Sequence, residues 1–401
     1  MLNLNSEKLE TIGPYNDADV PEVLSRISNS DEFLSIVSGW AVPPILRKMF
    51  LGNFIAKRYM QRAFRSVSDI AGFQNLVAEY FRTLITNSCG ELTFKGLDQI
   101  KAGRNYLFIS NHRDIVLDSS LINYLIRESG SNTCRIAVGD NLLGNQLASD
   151  LMRLNKSFFI RRDATNRREW YRSLEMTSSY IRDSIKNQCS VWIAQRQGRA
   201  KDGFDRTEIA LLKMLMLAFK KESAPLQSFL EEINLIPVSI SYELDPCAVR
   251  KARELRLIDD SGSYEKAEDE DLNSMIEGLV GYKGRVHIEF GRIDRHEVDS
   301  IEKLGEVLDQ AIVRGLRVFE TNEFADSFLK GESQSMLFDC GEQLKEQMDE
   351  CSTFEQEYLL KQYANVCANK RELGLTGYEL YRFGSSILES CSFNSRIWLD
   401  Q

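Results

Sequence analysis

Short apolar, β-branched runs recur in the middle of the chain, over 92–94, 106–110, 135–138, 157–160, 191–194, 235–241 and 286–290. Runs of this length and composition predict strands. Longer stretches with helical periodicity lie between them. The clearest covers 166–185, where Trp170, Leu174, Ile181 and Ile185 share one face. It opens with Asn166-x-x-Glu169, a capping-box pattern with Asn in place of Ser or Thr. Strands alternating with helices predict an α/β domain, a mostly parallel sheet with flanking helices, over 88–298. Ahead of it, 1–87 shows no strand pattern and carries apolar residues at helical spacing over 45–64 and 73–85, which predicts a helical N-terminal region. Behind it, 299–401 predicts a helical C-terminal region, periodic over 301–319 and 354–368. The acidic stretch 259–271 reads as a solvated loop or the start of a helix, and no internal repeat is visible.

Composition narrows the class. The 401 residues are 43% hydrophobic and 27% charged, ordinary values for a globular chain with a sizeable core. Lys and Arg number 50 against 59 Asp and Glu, a formal charge of −9. That balance excludes a general nucleic-acid binder, whose footprint is a basic surface, so an anionic ligand has to be met by a local basic patch. The eight cysteines are scattered with no C-x-x-C pair, and residues 1–30 are polar and acidic. Both features predict free thiols in a reducing cytoplasm. No stretch approaches the roughly 20 apolar residues a membrane-spanning helix needs.

Phosphate-binding glycine loops, the G-x-S-x-G elbow and H-E-x-x-H are all missing from the sequence. Only three histidines are present, His112, His287 and His296, which argues against a histidine-rich metal centre. His287 falls inside a predicted strand and His296 in a charged loop, so both read as structural or solvated. His112 stands differently, in Phe108-Ile-Ser-Asn-His-Arg-Asp-Ile-Val-Leu-Asp118. A strand ends at Ser110 and a helix begins within a few residues. That places His112 at the carboxyl edge of a parallel sheet, where open α/β folds keep their ligand sites. An imidazole there can act as a base, and a carboxylate on its other nitrogen would fix the tautomer. Asp114 and Asp118 are both candidates. The bland alternative is that Asn111 and His112 cap a helix whose first turn carries the two acids.

Three more blocks follow in order. Ser157-Phe-Phe-Ile-Arg161-Arg162 is an aromatic-Ile strand ending in arginine; Gln197-Gly198-Arg199 follows the strand 191–194; and Ile236-Pro237-Val-Ser-Ile-Ser241 is an apolar strand with proline. Together with Asn111-His112…Asp118, these four blocks resemble the glycerolipid acyltransferases, which include glycerol-3-phosphate and lysophosphatidic acid acyltransferases. The family signature is N-H-x-x-x-x-D, then the aromatic-Ile-Arg strand, E-G-x-R and a proline-bearing strand. Two positions differ from it. Position 117 is Leu, so the acid at 118 is six residues after His112, and Gln197 stands where the family has Glu.

The resemblance implies transfer of a fatty acyl group from acyl-CoA or acyl-carrier protein to a hydroxyl of glycerol 3-phosphate or a lysophospholipid, within phospholipid biosynthesis. His112 would be the general base, with Asp118 as its partner if one extra residue is absorbed in the turn before the helix. Asn111, Arg161, Arg162, Gln197, Gly198, Arg199 and Pro237 would line the substrate site, the arginines as a cradle for phosphate. No metal or other cofactor is implied. The implied location is cytoplasmic, peripheral on the inner face of the membrane. The stretch 45–64 mixes apolar residues with Arg and Lys as an interfacial helix does, while the alternative there is an ordinary packed helix. The other readings are transfer to a different lipid-precursor alcohol or amine, and a non-catalytic lipid-binding relative.

Overall fold

The computed structural model describes residues 13–41, 52–161, 166–187, 189–267, 270–332 and 342–375. Seven strands form where the apolar runs predict them: β1 Glu91–Lys95, β2 Leu107–Ser110, β3 Arg135–Gly139, β4 Ser157–Ile160, β5 Val191–Ala194, β6 Leu235–Tyr242 and β7 Arg285–Phe290. Phe108, Phe159, Val191, Val238 and Ile288 are essentially sealed from solvent. Strands buried on both faces read as continuous apolar runs, which is why they stand out in the sequence.

The chain divides into two compact units. The first comprises 1–83 and 134–177, the second 84–133 and 178–401. In the first unit β3 and β4 pair in parallel. Its helices Val20–Ile27 and Gln146–Leu154 share a core of Val20, Leu24, Ile27, Phe73, Leu147 and Leu154. Asp150, on that same inner helix, is held by Arg26 (2.7 Å) and by the hydroxyl of Tyr15 (2.7 Å). The helix Arg167–Lys186 starts at Asn166, whose side-chain oxygen accepts from the N–H groups of Arg168 and Glu169. Asparagine therefore serves as the cap that the sequence pattern predicts.

In the second unit β2 lies between β5 and β6 and runs parallel to both. β7 pairs antiparallel with β6 and parallel with β1. The sheet is thus mostly parallel with flanking helices. The helix Ile301–Gly315 packs on β6 and stops short of the predicted 319. Gly315 lies so close to Ser239 that a side chain would overlap it, and Leu316 turns to an extended conformation. The apolar residues that prolong the pattern, Leu316, Val318 and Phe319, are buried in that connection. The helices Ala248–Ser261, Glu320–Leu329 and Thr353–Glu372 gather around Ala252, Phe324, Leu360 and Tyr363. Among the described residues no helix is long and apolar enough to cross a membrane, and the six described cysteines are free.

Candidate active site

β2 ends at Ser110 and the next helix, Leu117–Glu128, begins only after six intervening residues. The turn between them carries Asn111, His112, Arg113 and Asp114. The imidazole Nδ1 of His112 lies 2.9 Å from Oδ2 of Asp118. The carboxylate against the histidine is therefore that of Asp118, because the helix starts late enough for the longer spacing to be taken up in the turn. The same Oδ2 accepts the backbone N–H of Arg113 (2.6 Å) and of Asp114 (3.0 Å). Oδ1 accepts the hydroxyl of Tyr242 (2.8 Å). Burial alone would push the Asp118 carboxyl up, but the bonds from His112 and the two amides outweigh it and hold it below the ordinary carboxylate range. Asp114 does different work. Its Oδ1 accepts from the N–H groups of Val116 and Leu117 and so closes the turn that leads into the helix. Burial, then the charge of Asp118, raises its carboxyl above the ordinary value.

His112 keeps 14% of its side chain exposed. The edge of Trp192 meets its ring, centroids 5.8 Å apart, and Trp192 is itself fixed by donating Nε1–H to Ser110 Oγ. With Nδ1 committed to Asp118, Nε2 is the nitrogen left for a substrate. Asn111 is fully buried, and its amide both donates to and accepts from the backbone of Ile240, at 2.9 and 2.8 Å. That extends the pairing of β2 with β6 by one side-chain rung.

The turn is braced from below. Arg113 ion-pairs with buried Asp205 and donates to the carbonyls of Ala200 and Gly203. Buried Lys251 donates to the Arg113 carbonyl and pairs with Asp245. Burial pushes the Asp205 carboxyl up to about 6, partly offset by Arg113. The loop 200–206 is in turn held by the helix Thr353–Glu372. Asn365 donates to the carbonyl of Asp202, and Asn369 donates to that of Gly203 and accepts from the N–H of Asp205. Gly203 has φ +84° and sits against the Gln362 carbonyl, where any side chain would collide.

The third block lies on the loop after β5, alongside the histidine turn. Gln195 N–H donates to the Ser110 carbonyl and Ala200 N–H to that of His112. Gln197 and Gly198 are exposed, with Gly198 at φ +74°. Arg199 is half-buried and its Nη1 is enclosed without a hydrogen-bond partner. Unpartnered enclosed polar atoms gather along this loop, on Gln195, Arg196, Arg199 and Asp205. Buried polar groups ordinarily find partners, so this concentration marks where a polar ligand or water belongs. Pro237 is buried within β6, in register with Ile109 and against Gly291, three residues short of the level of His112's turn. Arg161 leaves β4 in the first unit and is exposed; Arg162 lies outside the described residues. His287 is buried beside Thr93 at 2.8 Å and His296 sits in an exposed turn. Among the described residues no group of three or more His, Cys, Asp or Glu side chains is arranged to hold a metal ion.

Sequence reasoning did not find Arg113, Lys251, Asp205, Tyr242 or Gln195. Arg113 and Lys251 are 138 positions apart, and Tyr242 and Asp118 are 124 apart. No local spacing signals such contacts, although a lysine within the apolar stripe of a helix is a hint of a buried charge.

An imidazole against a carboxylate, at the carboxyl edge of parallel strands, is an arrangement able to activate a hydroxyl. Residues 91–241 match the Acyltransferase family model, the same stretch that carries all four sequence blocks. This stretch is an acyltransferase domain. Among solved structures, the chain is similar to the 1-acyl-sn-glycerophosphate (LPA) acyltransferase PlsC from Thermotoga maritima, at 16% identity. The match covers 71% of this chain and 94% of that one, with a TM-score of 0.37. No curated protein matches the sequence.

Proposed function

We propose that the enzyme transfers a fatty acyl group from an acyl thioester, acyl-CoA or acyl-carrier protein, to a hydroxyl of glycerol 3-phosphate or a lysophospholipid. The observation that carries this reading is the His112–Asp118 pair at the end of β2. Nε2 of His112 takes the hydroxyl proton as the oxygen attacks the thioester carbonyl carbon. The oxyanion that forms is met by backbone N–H groups near Gly198. As the intermediate collapses, the C–S bond breaks and the departing sulfur takes the proton back from the imidazolium, while Asp118 stays ionised throughout. The test is release of free thiol when acyl-CoA and glycerol 3-phosphate are added to the purified protein. Lysophosphatidic acid and a non-phosphorylated alcohol serve as parallel acceptors. Absence of acceptor-dependent release with every acceptor overturns the reading.

Arg199 is the cation we assign to the acceptor's phosphate, because it lies on the loop after β5 that runs alongside the histidine turn and has an enclosed, unpartnered Nη1. Arginine's fork suits phosphate oxygens. Arg199→Ala is expected to raise KM for the phosphorylated acceptor about tenfold or more, the scale of one charge-assisted bond, and to leave KM for acyl-CoA nearly unchanged. Equal changes in both constants would remove the assignment.

A lipid product also calls for contact with a membrane surface, and the first unit offers one. Helix Gly52–Phe64 packs Ala56 and Met60 against Leu34 and Val37, so this face is an ordinary core face. Its other face exposes Phe54 (60%) and Tyr59 (45%) among Arg58 and Arg62. Residues 45–51 of the predicted interfacial stretch lie outside the described residues. The first unit has 17 Lys and Arg against 14 Asp and Glu, in a chain that is acidic as a whole. We expect the protein to float with vesicles rich in anionic phospholipid at low salt, and Phe54→Ser with Tyr59→Ser to weaken this. Failure to float at low salt counts against the contact.

A further inference from the structure

β6 outruns its parallel neighbour. Ser110, the last residue of β2, is opposite Val238, and β6 continues to Tyr242, four residues further. Over that extension β6 remains paired to β7, with Tyr242 in register with Val286. The backbone of Tyr242 is therefore fixed by the sheet at the level where β2 has already turned into the histidine loop. The amide of Asn111 locks the two together, holding both backbone groups of Ile240, two residues before Tyr242. His112 follows Asn111 directly, so one side-chain rung sets the relation between the histidine turn and the tyrosine.

The Tyr242 hydroxyl meets Asp118 Oδ1 at 2.8 Å. The other oxygen of Asp118 already takes three donors, His112 Nδ1 and the N–H groups of Arg113 and Asp114. An ionised carboxylate offers about two lone-pair sites on each oxygen; three donors crowd Oδ2, and Oδ1 is met by the tyrosine. Asp118 is fully buried. Without the tyrosine, Oδ1 would face the protein interior with no donor among the described residues, and the carboxylate could turn to share its donors between both oxygens. Burial and the charge of Asp118 raise the Tyr242 phenol well above its ordinary value, so it stays a donor.

We propose that Tyr242 is a positioning residue for the transfer reaction: its hydroxyl pins the rotamer of Asp118 so that Oδ2 faces His112. This inference rests on the reading of His112 as the base. Tyr242→Phe removes the hydroxyl and keeps the ring, so packing is preserved. It is expected to lower kcat about tenfold, the scale of one hydrogen bond to a charged group, with KM for both substrates within about twofold. The decisive readout is the double variant. If Tyr242 acts only through Asp118, adding Tyr242→Phe to Asp118→Asn lowers kcat no further, because coupled residues are non-additive. All rates are taken per folded molecule, by circular dichroism at the assay temperature. An unchanged kcat in Tyr242→Phe overturns the proposal, as does an equal fall in both backgrounds, which would mark a general structural role. If His112→Ala keeps its activity, the base reading itself fails and takes this inference with it. If His112→Ala is inactive and Tyr242→Phe is unaltered, only the inference falls.

Discussion

Replacing His112 by alanine is expected to stop acyl transfer in a chain that still folds. The expected loss is at least ~100-fold and up to ~10,000-fold, the range of general-base assistance to a poorly acidic hydroxyl. Among the described residues the imidazole has one hydrogen bond, to Asp118, and an edge contact with Trp192. Its removal leaves Asp118 with three donors, two backbone amides and Tyr242, so no buried charge is stranded and stability changes little. A catalytic loss without a folding loss is what separates a base from a packed core histidine. Thiol release and a melting curve on the same sample check it, and near-normal turnover in the folded variant would sink the mechanism. The proposed route has no metal step, so treatment of the wild type with EDTA should leave the rate unchanged.

The two aspartates of the same turn should respond in opposite ways. Asp118→Asn is expected to cost kcat at least ~100-fold, because a neutral amide cannot balance the imidazolium and, if flipped, presents an N–H that favours the wrong tautomer. Asp114→Asn is expected to cost far less. Its Oδ1 closes an Asx-type turn onto the N–H groups of Val116 and Leu117, which the side-chain oxygen of asparagine can accept as well. Its carboxyl is already raised by burial and by Asp118, so an amide replaces a group displaced toward its neutral form. Its Oδ2 lies against Gly278, where any larger residue would overlap it, and an amide nitrogen occupies nearly the same space. Measured kcat in the reverse order would give the partner role to Asp114, and two mild effects would leave His112 working without a carboxylate.

Which parts of this were legible follows from how far each interaction reaches along the chain. The buried strands β2, β4, β5 and β6 stand out in the sequence because strands buried on both faces must be apolar throughout, and β4 and β5 coincide with their predicted bounds. His112 and Asp118 are also legible, since both lie within one strand-turn-helix and their meeting depends on a local count of residues. The supports of that pair are not. Arg113 needs Asp205 and the carbonyls of Ala200 and Gly203, and Asp118 needs Tyr242, all delivered by sheet order. The helix predicted to 319 fails at Gly315 because apolar periodicity persists through a buried turn. The division into units also crosses the sequence order, since 134–177 packs with 1–83 by contacts that no local pattern announces.

The helix Thr353–Glu372 lies more than a hundred residues beyond the last position matched by the family model, yet Asn365 and Asn369 hold the loop that anchors Arg113. The reactive turn therefore rests on the far end of the chain. The stretch 91–241 is complete as a signature but not as a machine: cut away from residues 353–372, it would keep every signature residue and lose the scaffold that holds the 200–206 loop in place. In this protein the smallest portion able to preorganise the chemistry is set by a few asparagine amides near residue 369, so trimming from the C-terminal side meets a sharp limit there.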